Sequence, residues 1–347
     1  MRRSFLKRMI PVVFVFALFT GPGQAWAQLP TAAILGVVRD PSGAVVPGVA
    51  LTARNVETGQ VRQTVSGADG GYRFAALPVG NYEIRVENPG FQSEVRSGLT
   101  LTVAQEIVVN FVLQVGAVEQ TIAVTAEAPL VNTTSGTLGG LVDERKVAEL
   151  PLNGRNFVDL TLLQTGVTQH ENRGSTATLT GTWYSSNGAP LRSNSYLLDG
   201  ANVGNFYGAA VSSVAGTSLG IEGIREFRVA TNAFSAEYGL TMGSQMTIVS
   251  KSGTNTFHGS LFEYLRNSAL DARNFFDYKT ISTPRRLAAF ARNQFGGSLG
   301  GPIQRDRTFF HATYESLRER LGSYMLLNVI PPSAKLDGGA YRRSILW

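Results

Sequence analysis

The chain has 347 residues, and 38 are glycine, about 11% against a usual share of about 7%. Only 16% are charged and 43% are hydrophobic, which excludes wholesale disorder and supplies material for two or three domains. No cysteine is present, so disulfides, thiolate metal sites, iron–sulfur clusters and cysteine nucleophiles are excluded. Three histidines, His170, His258 and His311, argue against a histidine-rich metal centre, and no metal or other cofactor is expected. The net charge of +6 rests largely on Arg2, Arg3, Lys7 and Arg8; without those four the chain holds 27 basic against 25 acidic residues. No basic stripe or binding motif marks a nucleic-acid partner.

Residues 1–27 have the pattern of a secretory signal peptide. Met1–Arg8 is basic, Met9–Phe19 is apolar apart from Pro11, and Ala25-Trp26-Ala27 is an A-x-A cleavage site before Gln28. The apolar run is too short for a transmembrane helix, which needs about 20 residues; the alternative is an uncleaved anchor. No other stretch approaches 18 uncharged apolar residues, so any later membrane crossing is expected to use β-strands.

From Ala32 to about Ala117, short alternating strands are separated by turn signals. Tyr82-Glu83-Ile84-Arg85-Val86 alternates at period two, and Ile107, Val109, Phe111 and Leu113 form another apolar face. Turns are expected at Asp40-Pro41-Ser42-Gly43, Asp69-Gly70-Gly71, Val79-Gly80-Asn81 and Asn88-Pro89-Gly90. A β-sandwich over 28–117 is predicted. Further on, one helix is expected at Asp143–Leu150, ending before Pro151. Strand-length segments are expected at Thr256–Arg266, Phe290–Gly300 and Arg307–Arg318, each able to cross a bilayer when tilted.

Several of these segments carry a resemblance. Gly36-Val37-Val38-Arg39-Asp40 with Val46-Pro47-Gly48-Val49, and Asp69-Gly70-Gly71-Tyr72-Arg73-Phe74 with Leu77-Pro78-Val79-Gly80-Asn81-Tyr82, resemble the two signatures of the carboxypeptidase regulatory-like domain. That resemblance implies a transthyretin-like sandwich. No H-x-x-E zinc pair occurs, so no peptidase site comes with it; a spacer or docking module and a glycan-binding module both stay open. Segment 118–128, with Ile122-Ala123-Val124-Thr125-Ala126, resembles the TonB box of TonB-dependent receptors, and on physical grounds suits strand addition as an unpaired, β-prone edge. An ordinary linker strand is the alternative.

Residues 129–255 resemble the plug of those receptors. Leu150-Pro151-Leu152-Asn153-Gly154-Arg155-Asn156-Phe157, Ser195-Tyr196-Leu197-Leu198-Asp199-Gly200, Ile221-Glu222-Gly223-Ile224-Arg225-Glu226-Phe227 and Val249-Ser250-Lys251-Ser252-Gly253-Thr254-Asn255 carry the likeness, and the last points to the Oar-like subgroup. Residues 256–347 look like the start of that subgroup's barrel. The fold class expected is therefore mainly β: a transthyretin-like sandwich, an α+β plug and the first strands of an outer-membrane barrel.

Candidate contacts follow from the resemblance. Ile122, Ala123, Val124, Thr125 and Ala126 are the candidate TonB contact. Asn153, Gly154, Arg155, Asp199 and Gly200 are candidate plug or ligand positions, although Asp199-Gly200 also reads as a plain turn. Trp183 and Tyr184 either face a sugar or peptide ligand or pack the plug. Arg155, Arg192, Arg225 and Arg228 are expected to hold the plug against a polar barrel lumen. Gly296-Gly297-Ser298-Leu299-Gly300 matches G-x-S-x-G, but its spacing to Asp306 and His311 suits a barrel strand, so no catalytic residue is expected. Three strands cannot close a barrel, since the smallest bacterial ones have eight. The expectation is the N-terminal portion of an energy-coupled outer-membrane receptor for a large extracellular ligand, not competent for transport by itself, with TonB as partner. The rival is a soluble periplasmic or surface binding module.

Overall fold

A computed structural model describes residues 31–116, 122–125, 138–150, 152, 155–170, 182–204, 219–232, 241–272 and 289–322. They group into two compact units. One holds the described residues up to His258 together with Leu299–Ala312; the other holds Gly259–Ser298 and the described residues from Thr313.

Nine strands come first, with period-two burial clearest in Ala50–Asn55 and Gly80–Glu87. They are β1 (Thr31–Arg39), β2 (Ala50–Asn55), β3 (Val61–Val65), β4 (Gly71–Pro78), β5 (Gly80–Glu87), β6 (Glu94–Leu101), β7 (Glu106–Val108), β8 (Phe111–Val112) and β9 (Ile122–Thr125). One sheet has the order β4-β1-β7, with β8 also on β1; the other has the order β3-β2-β5-β6-β9. In β5 the alternation buries Tyr82, Ile84 and Val86 and exposes Asn81 and Arg85. These side chains meet Ile34, Phe74 and Phe111 from the facing sheet in one core. The predicted face Ile107, Val109, Phe111 and Leu113 is buried at all four positions, although the strand breaks between β7 and β8. Gly70 takes φ +69° in the turn before β4, and a Cβ there would lie 2.8 Å from the Val38 carbonyl oxygen. That turn therefore requires glycine.

The second part is a mixed sheet. Its elements are β10 (Leu138–Val142), α1 (Glu144–Glu149), a 3-10 turn (Phe157–Leu163), β11 (Val167–Gln169), β12 (Tyr184–Ser186), β13 (Ser195–Leu198), β14 (Ala201–Asn202), β15 (Ile224–Asn232) and β16 (Gln245–Ser250). Strand order is β10-β15-β16-β13-β14, with β13 parallel to β16, while β11 and β12 pair separately. Helix α1 starts where the sequence puts it. Asp143 is the N-cap and accepts the Lys146 N–H, and Leu150 leaves the helix in the extended conformation favoured before proline. Phe157, Tyr184, Tyr196, Phe227 and Met246 form the centre of a second core.

The third part is a sheet of β17 (His258–Asn267), β18 (Phe290–Gln304) and β19 (Thr308–Leu321), in that order. Two of the three exceed the roughly 9–11 residues that a tilted transmembrane strand needs, and β17 meets it. Within the second compact unit, Ser260 bonds Ser298, Gln294 bonds Glu315 and Arg292 pairs with Glu319. Leu261, Leu265 and Tyr314 are exposed. This pairing of polar side chains beside exposed apolar ones suits a strand with lumen on one face and lipid on the other. The molecule is thus mainly β: a sandwich, an α+β region and the opening strands of a barrel.

Candidate functional site

The segment Ile122–Thr125 differs from its expected state. It is not an open edge but a strand, β9, paired parallel to β6 with Glu94 opposite Ile122, Val95 opposite Ala123, Arg96 opposite Val124 and Ser97 opposite Thr125. The physical reason is ordinary: without β9, the outer edge of β6 would present unpaired N–H and C=O groups. The ladder is only four residues long, and it lies at the end of its sheet. Ala126 lies outside the described residues.

The plug positions divide. Asn153 and Gly154 lie outside the described residues. Arg155 has φ +55° and is buried, and its Nη2 donates to Glu222 Oε1 at 2.9 Å. Asp199 and Gly200 both have positive φ, at +49° and +85°, and join β13 to β14. That is the backbone of a two-residue hairpin turn, for which Asp-Gly is well suited. The Asp199 carboxylate also accepts the Ser250 N–H, and its own N–H donates to the Ile248 carbonyl, so the turn is fastened to the end of β16. Trp183 is half-buried with the Arg192 guanidinium 6.0 Å from its ring centroid. Tyr184 has no exposed surface. Its hydroxyl lies 3.1 Å from Ser244 Oγ and its ring packs edge-on against Tyr196, so in this conformation it offers no face to a ligand.

The arginines expected to face a lumen find other partners. Arg155 is held within the plug by Glu222. Arg225 reaches across to the sandwich, where Nη1 and Nη2 donate to Glu57 Oε2 and Oε1 at 2.9 and 3.0 Å. Arg228 Nη1 donates to the Ala104 carbonyl at 3.2 Å. Beside them, the Glu226 carboxylate accepts the Val103 N–H at 2.5 Å. Val79 and Val103 of the sandwich share a small apolar cluster with Val249, packed by Ala104 and Leu141. Burial pushes the Glu226 carboxyl up to about 7, against the opposing pull of the Val103 N–H and the Arg225 charge; Asp143 and Glu144 raise it further.

Glu57, Glu226 and Val103 are the residues that sequence reasoning missed. Glu57 and Arg225 stand 168 positions apart. Glu226 follows a register shift in β15 between Ile224 and Glu226, which returns Phe227 and Val229 to the core and leaves Glu226 at the junction. The adjacent opposite charges Arg225-Glu226 in β15 were the available signal.

No catalytic arrangement forms from the G-x-S-x-G match. Ser298 lies inside β18 bonded to Ser260, Asp306 accepts from Asn255, and His311 approaches the Glu222 carbonyl. A nucleophile elbow needs a strand–turn–helix there. The sandwich has an open groove of about 620 Å³ lined by Leu35, Val37, Thr64, Tyr72, Arg73 and Asn110 among others. Tyr72 is almost wholly buried and its hydroxyl donates to the Val109 carbonyl, so the groove has no aromatic platform for a sugar.

A transthyretin-like sandwich, a plug-type sheet and barrel-type strands resemble, in that order, the N-terminal part of a TonB-dependent outer-membrane receptor. Residues 33–114 match the model of the carboxypeptidase regulatory-like domain, and residues 249–345 match that of an outer membrane beta barrel domain. The chain is 28% identical over 334 residues to the TonB-dependent transporter Oar of Myxococcus xanthus, across 92% of this chain and 29% of that protein. It therefore spans less than a third of the length of that relative. Among solved structures, the siderophore receptor PirA of Acinetobacter baumannii is 19% identical with a TM-score of 0.36, over 51% of this chain and 24% of that one. A hydroxyquinol 1,2-dioxygenase of Pseudomonas putida is 12% identical with a TM-score of 0.21, over 24% of this chain and 56% of that one. Likenesses at these scores carry no argument about activity.

Proposed function

We propose that this chain is the N-terminal portion of a receptor that takes up a large extracellular ligand through the outer membrane, with energy supplied by TonB from the periplasm. In this reading residues 1–27 are a cleaved signal peptide, 28–117 the sandwich, 118–128 the coupling segment, 129–255 the plug and 256–347 the start of a barrel. By itself the portion does not transport. Ile122–Ala126 is the TonB contact, and the plug loops around Asn153, Gly154, Arg155, Trp183 and the Asp199-Gly200 turn are the ligand side. An oligosaccharide or a peptide is the ligand class considered.

The observation that supports this reading most is the state of Ile122–Thr125. It is β-prone, pairs through its backbone, and is held on β6 by a four-residue ladder at the end of the sheet. Such a strand can exchange its backbone ladder for one with a partner's strand. The sandwich and plug clasped at Glu57–Arg225 would stay joined while it leaves.

The test is capture of the full chain, folded in detergent, by the periplasmic domain of TonB. Val124→Pro removes a backbone N–H and blocks strand addition. Capture of the wild type and loss in Val124→Pro is expected. Equal capture of both, or capture of neither, overturns the assignment of this segment.

A further inference from the structure

Two of the three histidines, 53 positions apart in sequence, meet in the fold. His258 opens β17 and His311 lies in β19, on either side of β18, with ring centroids 5.9 Å apart and planes 22° apart. Each has one ring nitrogen at a backbone carbonyl. His258 Nδ1 is 3.1 Å from the Thr256 oxygen and 3.4 Å from Thr254 Oγ1. His311 Nε2 is 3.3 Å from the Glu222 oxygen. A carbonyl only accepts, so these nitrogens carry the protons. The lone pairs are then on His258 Nε2 and His311 Nδ1.

Both lone-pair nitrogens pack against Gly300, where only a residue without a Cβ fits. At Gly300 of β18, the point where a Cβ would sit is 2.7 Å from His258 Nε2 and 2.8 Å from His311 Nδ1. The two nitrogens are therefore within 5.5 Å of each other, the sum of those two distances. His311 Nδ1 is buried and has no hydrogen-bond partner. A buried acceptor in that state is uncommon and calls for an explanation.

We infer that His258 and His311 form a two-imidazole site for a borderline divalent transition-metal cation such as Zn²⁺ or Cu²⁺, with water completing the coordination. Imidazole nitrogen is the ligand such ions prefer, whereas Mg²⁺ and Ca²⁺ require oxygen donors. A carbonyl accepting the second ring N–H is the usual outer support of a metal-binding histidine, and both rings have one. Among the described residues no group of three or more His, Asp or Glu side chains suits a metal, so the two imidazoles are the protein ligands proposed. A cation there would tie β17 to β19 across a glycine, and through His311 would brace the Glu222 turn of the plug. The inference is independent of TonB coupling.

The experiment titrates Cu²⁺ alone into the full chain folded in detergent, counting nitrogen ligands by electron paramagnetic resonance, with Zn²⁺ titrated by calorimetry. One site with two nitrogen ligands is expected. His258→Gln and His311→Gln should each weaken it by at least about tenfold, the least that loss of even an outer-shell partner costs. His170→Gln should leave it unchanged. Gly300→Ala should also weaken it, because its Cβ would lie 2.7 and 2.8 Å from the two nitrogens and push the rings apart; should that variant misfold, the histidine variants decide. Two-nitrogen binding that persists in the His258→Gln/His311→Gln double variant, or a wild type that binds through one nitrogen only, overturns the inference.

Discussion

The sandwich and the plug bury cores of similar chemistry, but they assemble them differently. In the sandwich, β4–β5 and β5–β6 are joined by short turns, and each strand's alternation points to its core partner. In the plug, β10 pairs with β15 some ninety residues on, and β13 lies parallel to β16. Contacts close in sequence leave local signatures, whereas contacts between distant segments leave almost none.

That contrast predicts the largest effect. Phe227→Ala removes a wholly buried ring packed against Phe157 at 5.8 Å, and should cost about 3–5 kcal/mol. In chemical denaturation the plug transition should move and the sandwich transition should not. Ile84→Ala, also wholly buried, should do the reverse at about 2–5 kcal/mol. A shift of both transitions by either variant would mean the two cores do not fold as separate units.

The junction gives the next effect. Glu226 titrates at about 7 when docked, against an ordinary value of 4.5. Its folded pKa is raised, so docking is most favourable below about pH 4.5 and weakens as pH rises to about 7, then stays level. A shift of that size is worth up to about 3 kcal/mol. Glu226→Gln keeps an acceptor for the Val103 N–H and should flatten that pH dependence, read as the sandwich–plug undocking equilibrium in limited proteolysis. Arg225→Leu takes both guanidinium bonds from the half-buried Glu57 carboxylate, leaving it the Asn81 amide, and should weaken docking by about 1.5–3 kcal/mol. Smallest is Asp199→Ala, which removes one acceptor from the Ser250 N–H and a turn-favouring residue; about 1 kcal/mol is expected in plug stability.

The same contrast explains what the sequence disclosed. Tyr82-Glu83-Ile84-Arg85-Val86 was legible as a half-buried strand, the α1 boundaries followed from Asp143 and Pro151, and Asp199-Gly200 was legible as a turn. The destinations of Arg225 and Arg228 were not, because a charged side chain on a strand carries no record of a partner in another domain. Glu226 was hidden by a register shift. The pairing of Ile122–Thr125 with β6 was hidden because a short β-prone segment looks alike whether paired or open. His258 and His311 became neighbours only through the strand placed between them.

In the proposed coupling, Ile122–Thr125 leaves β6 and pairs with TonB. Hydrogen exchange on the folded full chain, with and without the periplasmic domain of TonB, tests it most directly. The account predicts that adding TonB protects the amides of residues 122–125 and deprotects the β6 edge at 94–97, while β2 and β5 stay unchanged. Unaltered exchange at both 94–97 and 122–125 in a complex that does form would contradict it.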